Sequence, residues 1–328
     1  MGINYGQIQK NASDVKILDC TVRDGGNVNK CRFSDDFVKA AYKACCLSGT
    51  DYMEIGHINS GKFLSREEYG KWMFCDEADL KSVVESVGEK KTKLSAMANV
   101  GKCDPENFPK KSESPLDMIR CAFYAADIKA ALGIAKAAKE KGFETALCMM
   151  AVSTLDELAI DEALEDLAAS DADVVYIMDS FGGLSFRETR LLVSKYKNAL
   201  EGTGKKLGMH THNNMQLALA NSIEAITQGV DFVDATFAGF GKGAGNCPIE
   251  LLEGFISSRM PRKFDIRPIL KVIEEYVVPL KKELNWGFDY PYMLTGLNNE
   301  HPRKADEFIK TPDKKSITEL FDDFNKKS

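Results

Sequence analysis

The chain alternates between two hydrophobic patterns from Lys16 to about Met260. Short runs of apolar or β-branched residues are each followed by a stretch in which apolar residues recur every three to four positions. The first pattern predicts strands and the second predicts amphipathic helices. The predicted strands are Lys16–Val22, Tyr52–His57, Leu94–Val100, Ile119–Tyr124, Glu144–Val152, Val174–Asp179, Leu207–His212 and Phe232–Phe237. Repeated strand–helix units predict a parallel sheet with helical crossovers.

Helix signals lie between the predicted strands. One helical face is formed by Val38, Ala41, Tyr42 and Cys45, and another by Ile128, Ala131, Leu132 and Ala135, with Gly49 and Gly142 ending the two helices. Two later helices are predicted to begin at the capping boxes Thr154-x-x-Glu157 and Ser185-x-x-Glu188. The third unit is the weakest, because the segment 104–115 contains three prolines and predicts a short or absent helix.

Eight strand–helix units in about 245 residues predict a closed (β/α)8 TIM barrel of the α/β class. An open doubly wound sheet is the alternative. The alternation stops after Pro261, and Ile266 to Leu284 predicts a further helix. We therefore expect a flexible N-terminus over residues 1–14, a catalytic barrel over 15–262 and a helical C-terminal extension over 263–328.

Composition narrows the class of partner. The formal net charge of the 328 residues is -6, which argues against nucleic acid or an anionic membrane as the main partner. Met1 to Ser13 lacks the apolar core of a signal peptide, and no apolar run approaches the ~20 residues of a membrane span. Nine cysteines without a C-x-x-C pair indicate reduced, mostly buried thiols. We expect a cytoplasmic protein that acts on a small molecule.

Barrel enzymes carry their chemistry where the strands end, so the polar residues at those ends are the candidates. The first strand runs into Arg23, Asp24, two glycines and Asn27. The carboxylate could bind a metal, and the guanidinium could neutralise an oxyanion. A surface turn with a local ion pair is the simpler alternative.

Two further strand ends complete a candidate metal site. His210 and His212 are two apart on the seventh strand and therefore face the same side. A glycine-rich loop after the eighth strand ends at Asn246, a plausible oxygen ligand. A polar hydrogen-bonded pair and a ligand-free loop are the alternatives. If the barrel closes, Asp24 meets these residues at one rim. The mixed donors favour Mn²⁺ or Mg²⁺, with Zn²⁺ or Co²⁺ less favoured.

Three motifs resemble those of the metal-dependent barrel lyases and synthases related to hydroxymethylglutaryl-CoA lyase, isopropylmalate synthase and 4-hydroxy-2-oxovalerate aldolase. They are Thr21-Val22-Arg23-Asp24-Gly25-Gly26, His210-Thr211-His212-Asn213-Asn214 and Gly241-Lys242-Gly243-Ala244-Gly245-Asn246. The similarity covers about Ile17 to Glu250. The aldolase branch is the most similar, through Met53-Glu54-Ile55-Gly56-His57 and Met178-Asp179-Ser180-x-Gly182.

The resemblance implies a role for each matching residue. Asp24, His210 and His212 would bind the divalent ion that chelates a 2-oxo acid such as pyruvate. The enolate oxygen would be stabilised by Arg23. Substrate-binding candidates are Arg23, Ser180, Asn27 and Gly241, and catalytic candidates are Arg23, Asp24, His57 and Tyr290.

One position departs from the aldolase pattern, since the base is a histidine there and this chain has Asn27. An amide cannot accept a proton usefully at neutral pH. His57 is the nearest replacement, with a structural role as the alternative. Tyr290 would correspond to a tyrosine that closes over the site, with a packing aromatic as the simpler alternative. The catalytic cysteine of the lyase branch precedes the last glycine-rich stretch, whereas Cys247 follows Asn246, so we give it no such role.

Three other functions stay open. An acyl-CoA:2-oxo acid condensing synthase would need a longer C-terminal domain than the residues after the barrel provide. A Schiff-base aldolase would need a lysine at a catalytic strand end, and Lys93 and Lys206 lie at the wrong ends while Lys242 is in a loop. A barrel that has lost its base could serve as a binding protein. For the aldolase, an aldehyde dehydrogenase partner and a homo-oligomer are possible assemblies.

Overall fold

The computed structural model describes residues 5–284, 286–311 and 316–325. Its eight parallel strands close into a barrel in chain order. They are β1 (Lys16–Asp19), β2 (Tyr52–His57), β3 (Lys93–Asn99), β4 (Leu116–Phe123), β5 (Glu144–Met149), β6 (Val174–Asp179), β7 (Lys206–Thr211) and β8 (Phe232–Ala235). The pairing of β1 with β8 closes the sheet, so the predicted TIM barrel is confirmed and the open sheet is wrong.

Helices surround the barrel and extend beyond it. They are α1 (Tyr5–Asp14), α2 (Thr21–Asn29), α3 (Asp35–Ser48), α4 (Glu77–Glu85), α5 (Ile128–Glu140), α6 (Glu157–Ala169), α7 (Phe186–Ala199), α8 (Ala218–Gln228), α9 (Ile249–Arg259), α10 (Arg267–Val272), α11 (Val278–Glu283), α12 (Tyr290–Leu297), α13 (Arg303–Lys310) and α14 (Ile317–Asn325). Within the described residues, no helix combines the length and apolar composition needed to cross a bilayer.

The barrel interior has an aromatic floor. The rings of Tyr52 and Tyr176 lie 5.4 and 6.3 Å from that of Phe232. Strands β2 and β6 are buried at every position, because one face lines the interior and the other lies under the helices. Tyr52 and Phe232 begin their strands, so this aromatic floor lies towards the N-terminal end of the barrel.

The largest departure from prediction follows β1, which ends at Asp19 rather than Val22. Helix α2 occupies this segment in place of a surface turn, and Asp24 N donates to Cys20 O at 2.8 Å. Apolar residues alone cannot distinguish the end of a buried strand from the start of a buried helix. Close packing requires glycine at two positions of this helix. A side chain at Gly25 would meet the Phe240 ring, and one at Gly26 would meet Cys31 Sγ.

Helix starts were predicted with mixed success. Ser185 and Glu188 form the predicted capping box, with Ser185 N donating to Glu188 Oε2 at 2.8 Å. The box at Thr154 is wrong, because Asp156 caps α6 by accepting from Ala159 N at 2.8 Å. The third unit has two short 3₁₀ turns, Pro105–Asn107 and Lys111–Glu113, where a short or absent helix was expected.

The chain ends also differ from a simple expectation. Helix α1 occupies most of the segment expected to be flexible, since Ala12 is fully buried and Asn11 Nδ2 donates to Thr227 O on α8 at 3.2 Å. The predicted helix after Pro261 forms as α10 and α11, joined by the π-helical turn Ile273–Val277. This turn precedes Pro279, which cannot donate to an α-helical bond.

Candidate active site

A carboxylate and two imidazoles meet at the C-terminal rim of the barrel. Asp24 lies in the first turn of helix α2, His210 lies near the end of β7, and His212 directly follows that strand. Asp24 Oδ2 lies 3.3 Å from His210 Nε2 and 3.6 Å from His212 Nε2, and the two imidazole nitrogens are 3.3 Å apart. Ligands about 2.1 Å from a shared cation are separated by about 3.0–3.4 Å. The three side chains therefore have the spacing of metal ligands.

The glycine-rich loop brings a fourth candidate ligand, Asn246, next to His212. Asn246 pairs through its backbone with His212, and its Oδ1 is buried with no hydrogen-bond partner among the described residues. A side chain at Gly241 would overlap Asn246 Nδ2 and come within 3.2 Å of Asp24 Oδ1. Glycine at 241 is therefore what allows the loop to lie against the cluster.

Asp24 is held in its ionised form. Burial alone would raise the pKa of this carboxyl, but Arg23, His212 and His210 together hold it well below its ordinary value. Arg23 Nη1 donates to Asp24 Oδ2 at 3.2 Å, and the backbone N–H of Lys242 donates to Asp24 Oδ1 at 3.2 Å. An ionised oxygen is thus available to a cation at neutral pH.

A closed ring of buried charges supports the cluster. Its contacts run Arg23–Glu54 (2.7 Å), Glu54–Arg120 (3.2 Å), Arg120–Asp234 (2.5 Å), Asp234–His210 (2.9 Å), His210–Asp24 (3.3 Å) and Asp24–Arg23 (3.2 Å). Burial alone would lower the pKa of Arg23, but Glu54 and Asp24 raise it, so the guanidinium stays charged. Each charge in the ring has an opposite neighbour, which offsets the cost of removing it from water.

The tautomer of His57 is set by its neighbours. The backbone N–H of Asn99 donates to Asn59 Oδ1 at 3.4 Å, which turns Asn59 Nδ2 towards Asn99 Oδ1 at 3.2 Å. Asn99 Oδ1 is therefore an acceptor, and His57 Nδ1, 2.9 Å away, carries the proton. Burial, followed by the charge of Arg23, lowers the pKa of His57 to about 4. The buried Nε2 keeps its lone pair and has no partner among the described residues.

Only some of the other predicted site residues lie near the cluster. Asn27 is exposed at the mouth and donates from Nδ2 to Asp24 Oδ1 at 3.3 Å. Ser180 follows β6 beside the His212 backbone, and its Oγ accepts from Ala151 N at 2.9 Å. Tyr290 is not brought to the cluster, since it is 56% exposed and its ring lies against Phe288.

The tyrosine at the mouth is Tyr292, two residues further along α12. A side chain at Gly243 would come within 3.2 Å of the Tyr292 ring, and Tyr292 O accepts from Asn214 Nδ2 at 3.3 Å. Helix α12 begins at the exposed Tyr290, whereas Tyr292 packs against the glycine-rich loop and donates from Oη to Asp306 Oδ1 at 2.6 Å. Alignment of a tail by residue type cannot resolve a displacement of two positions on a helix.

The sequence interpretation missed four polar residues that shape the site. Arg120 and Asp234 are buried within β4 and β8, Glu54 was noted only as part of a motif, and Asn99 ends β3. A signal existed, because an ionisable residue inside an apolar strand must be paired when the barrel buries it. The pairings themselves depend on which strands face each other across the interior.

A family model described as HMGL-like matches residues 14–272. The chain belongs to the HMGL-like family. The 4-hydroxy-2-oxovalerate aldolase of Thermus thermophilus is 29% identical to this HMGL-like chain over 266 residues, which are 80% of this chain and 75% of that protein. The oxaloacetate decarboxylase of Mycobacterium tuberculosis is 29% identical over 248 residues, 74% of this chain and 70% of that protein.

Solved structures agree with the HMGL-like assignment. The N-terminal domain of a proposed aldolase from Bacteroides vulgatus superposes with a TM-score of 0.79 at 32% identity, covering 91% of this chain and 97% of that one. Hydroxymethylglutaryl-CoA lyase from Pseudomonas aeruginosa shares the fold, with a TM-score of 0.65, 16% identity, and coverage of 82% and 93%. The predicted family and barrel are confirmed, and aldolases, the predicted enzyme class, are among the named relatives.

Proposed function

We propose that this HMGL-like chain is a divalent-metal-dependent aldolase that makes or breaks a carbon–carbon bond of a 4-hydroxy-2-oxo acid through the enolate of pyruvate. The observation that carries the proposal is the convergence of Asp24, His210 and His212 at metal-ligand spacing. Three buried polar atoms without partners among the described residues support it: Arg23 Nη2, His57 Nε2 and Asn246 Oδ1. Buried polar atoms of this kind are costly unless a ligand satisfies them.

The donor set favours Mn²⁺ or Mg²⁺ over Zn²⁺ or Co²⁺, with Asn246 Oδ1 as a fourth ligand. The nearest thiol, Cys20, lies 4.0 Å from the far nitrogen of His210 and donates to Ala235 O, and burial raises its pKa well above the ordinary value. It therefore offers no thiolate. When bound, the ion would withdraw electron density from the keto oxygen and carboxylate of a 2-oxo acid.

The reaction needs no external oxidant or reductant. In the cleavage direction the C4 hydroxyl loses its proton, the C4 carbonyl forms and the C3–C4 bond breaks. The electron pair of the broken C3–C4 bond is shared by C3 and the former keto oxygen as an enolate. Protonation of this enolate at C3 then yields pyruvate. Arg23 Nη2 is a fixed cationic donor for the enolate oxygen, because the charge ring holds the rest of the guanidinium.

His57 would accept the proton from the C4 hydroxyl. Its Nε2 lone pair is free because Asn99 holds the proton on Nδ1. This assignment gives Asn27 a binding role, with its amide beside Asp24 orienting the substrate. Ser180 Oγ, whose O–H has no acceptor among the described residues, and the backbone at Gly241 would contact the pyruvate carboxylate.

The cellular setting is part of the proposal. We place the enzyme in the cytoplasm, since all nine cysteines are buried and free. The aldehyde product would be reactive, so an aldehyde dehydrogenase is the partner we propose for it. A homo-oligomer would be compatible with exposed apolar side chains such as Leu158 and Leu191, at 67% and 59% exposure.

Deuterium uptake at C3 of pyruvate tests the enolate step independently of the second substrate. We expect Mn²⁺-dependent uptake in D₂O, measured by mass spectrometry, and its loss in Asp24→Asn and His212→Gln. The fourth histidine provides the control, because His301 contacts Phe181 rather than the cluster, so His301→Gln should retain uptake. Absence of uptake in the wild type at saturating Mn²⁺ would leave the binding-protein alternative.

Two further assays separate the remaining enzyme classes. Cleavage of 4-hydroxy-2-oxopentanoate to pyruvate should stop when the metal is removed by a chelator and return with Mn²⁺. Borohydride trapping with pyruvate should leave the protein unlabelled, since a labelled Lys242 would indicate a Schiff base. Thiol release from acetyl-CoA in the presence of a 2-oxo acid would instead favour the condensing synthase.

A further inference from the structure

A cavity opens beside the cluster of Asp24, His210 and His212. It has a volume of about 320 Å³ and lies between the end of α2, the ends of β2 and β3, and the segment 64–73. Its polar lining includes Asn27, Lys30, His57, Tyr69, Asn99 and Lys102. A methyl group, which is all that 4-hydroxy-2-oxopentanoate carries beyond C4, would leave most of this space unfilled.

The cavity has a cationic lining. Two lysines and no aspartate or glutamate are among its lining residues. Lys30 Nζ pairs with Glu68 outside the cavity at 3.0 Å, with both side chains more than half exposed. Lys102 Nζ has no hydrogen bond or ion pair with any described residue. An anion in the cavity could therefore pair with the ammonium of Lys102. It could also pair with that of Lys30, whose existing ion pair with Glu68 is solvent-exposed and weak.

A buried atom without a partner marks the same cavity. His57 is only 5% exposed, lines the cavity and leaves Nε2 without a hydrogen-bond partner among the described residues. Asn99 has its Oδ1 occupied by His57 and Asn59, so its Nδ2 is left to donate. The lining thus offers one acceptor and one donor next to the two ammonium groups.

The cavity adjoins the cluster of Asp24, His210 and His212 through one side chain. Asn27 lines the cavity and also donates to Asp24 Oδ1 at 3.3 Å. A substrate held at the cluster by its 2-oxo acid end would therefore pass Asn27 with its C4 hydroxyl near His57. The part of the substrate beyond C4 would then lie between Lys30 and Lys102.

We propose that this cavity binds the part of the substrate beyond C4, and that this part carries an anionic group, a carboxylate or a phosphate. The inference rests on the proposed aldolase function and adds the class of the second product, an anionic aldehyde. Its basis is the contact of Asn27 with both the cavity and Asp24, the lack of a partner for His57 Nε2 among the described residues, and a lining with two cations and no carboxylate.

Three substrates that share the 4-hydroxy-2-oxo acid group and differ beyond C4 test the inference. They are 4-hydroxy-2-oxopentanoate, 4-hydroxy-2-oxohexanedioate and a 4-hydroxy-2-oxo acid ending in a phosphate. We expect a higher kcat/KM for one or both anionic substrates than for the neutral one, and the comparison of the two identifies the anion. Lys102→Met and Lys30→Met should each lower that kcat/KM by about 3- to 10-fold, the range for a partly solvated charge pair. The value for the neutral substrate should fall by less, because that substrate places no charge between the two lysines.

The control is Lys91→Met, since Lys91 precedes β3 at the opposite end of the barrel and is 62% exposed. It should change neither value. Equal kcat/KM for all three substrates, or equal losses on neutral and anionic substrates in the lysine variants, would overturn the inference. Deuterium uptake into pyruvate would persist in those cases, so failure of this inference is distinguishable from failure of the proposed function.

Discussion

Asp234 Oδ2 lies 2.9 Å from Nδ1 of His210. Burial alone would raise the pKa of Asp234, but Arg120 and His210 lower it, so the carboxylate accepts the Nδ1 proton. The opposite nitrogen, Nε2, then faces Asp24 and His212. A residue in the middle of β8 therefore decides which nitrogen of a β7 imidazole can bind a cation, an arrangement that raises ligand basicity in metal sites generally.

Replacing this carboxylate should weaken the metal site without removing a ligand. We predict that Asp234→Asn lowers Mn²⁺ affinity by about 10- to 100-fold, the usual effect of losing a partner of a metal-bound histidine. Isothermal titration calorimetry measures it directly. Asp231→Asn, at the other end of β8 and 37% exposed on its side chain, is the control. Unchanged affinity in Asp234→Asn would show that His210 does not need this partner.

The position of the glycine-rich loop gives a second prediction. Gly241→Ala would force Asn246 and Asp24 apart, so Mn²⁺ affinity should fall by roughly tenfold or more. Gly133→Ala provides a matched control, because no atom lies within 4 Å of the added carbon in the middle of α5. That variant should leave affinity unchanged and raise the free energy of unfolding by about 0.5–1 kcal/mol. A Gly241→Ala protein with wild-type affinity would contradict the assigned role of Asn246.

The His57 base can be tested through its hydrogen-bond partner. The charged groups that act on His57 are Arg23, Lys102 and Asp24, and its pKa is lowered to about 4 by burial first and then by Arg23. The wild-type kcat/KM should therefore stay high from neutral pH down to about 5 and fall as His57 becomes protonated. Asn99→Asp adds a carboxylate next to Nδ1 and should raise the acidic limb by about 1–3 pH units.

A distant charge gives the control for that shift. Asn198→Asp adds the same charge on the exposed side of α7 and should leave the profile unchanged. A profile of Asn99→Asp that superposes on the wild type would remove His57 from the catalytic assignment.

The free energy of unfolding should depend on pH through a carboxyl group far from the site. Burial raises the pKa of Glu253 to about 8, and Thr50 Oγ1 donates to its Oε1 at 2.6 Å. The folded state thus keeps a proton that the unfolded chain loses near its ordinary pKa of 4.5. This contribution to stability is complete below pH 4.5 and is lost as the pH rises through 8.

Glu253→Gln removes that titration and keeps the shape. We predict that its free energy of unfolding exceeds that of the wild type at pH 8.5 by roughly 2–5 kcal/mol, with little difference at pH 4.5. Urea denaturation at the two pH values measures both quantities. An equal effect of the substitution at both pH values would mean that the carboxyl is not protonated in the fold.

The sequence alone predicted the barrel, the Ser185 helix start and the convergence of Asp24, His210 and His212 at one rim. These features depend on local physical rules. Strand and helix periods follow from backbone geometry, and a two-residue spacing on a strand places two side chains on one face. Closure of eight parallel strands then brings β1 next to β8, which pairs with β7, so three sequence-distant motifs meet.

Only the tertiary structure decided the remaining features. The Arg23–Glu54–Arg120–Asp234 connections depend on which side chains meet across the barrel interior, and the His57 tautomer depends on a chain of hydrogen bonds through Asn59 and Asn99. The replacement of Tyr290 by Tyr292 at the mouth depends on the docking of α12. Periodicity assigns a residue to a face of its own strand or helix, whereas the partner across the interior is set by strand register and packing.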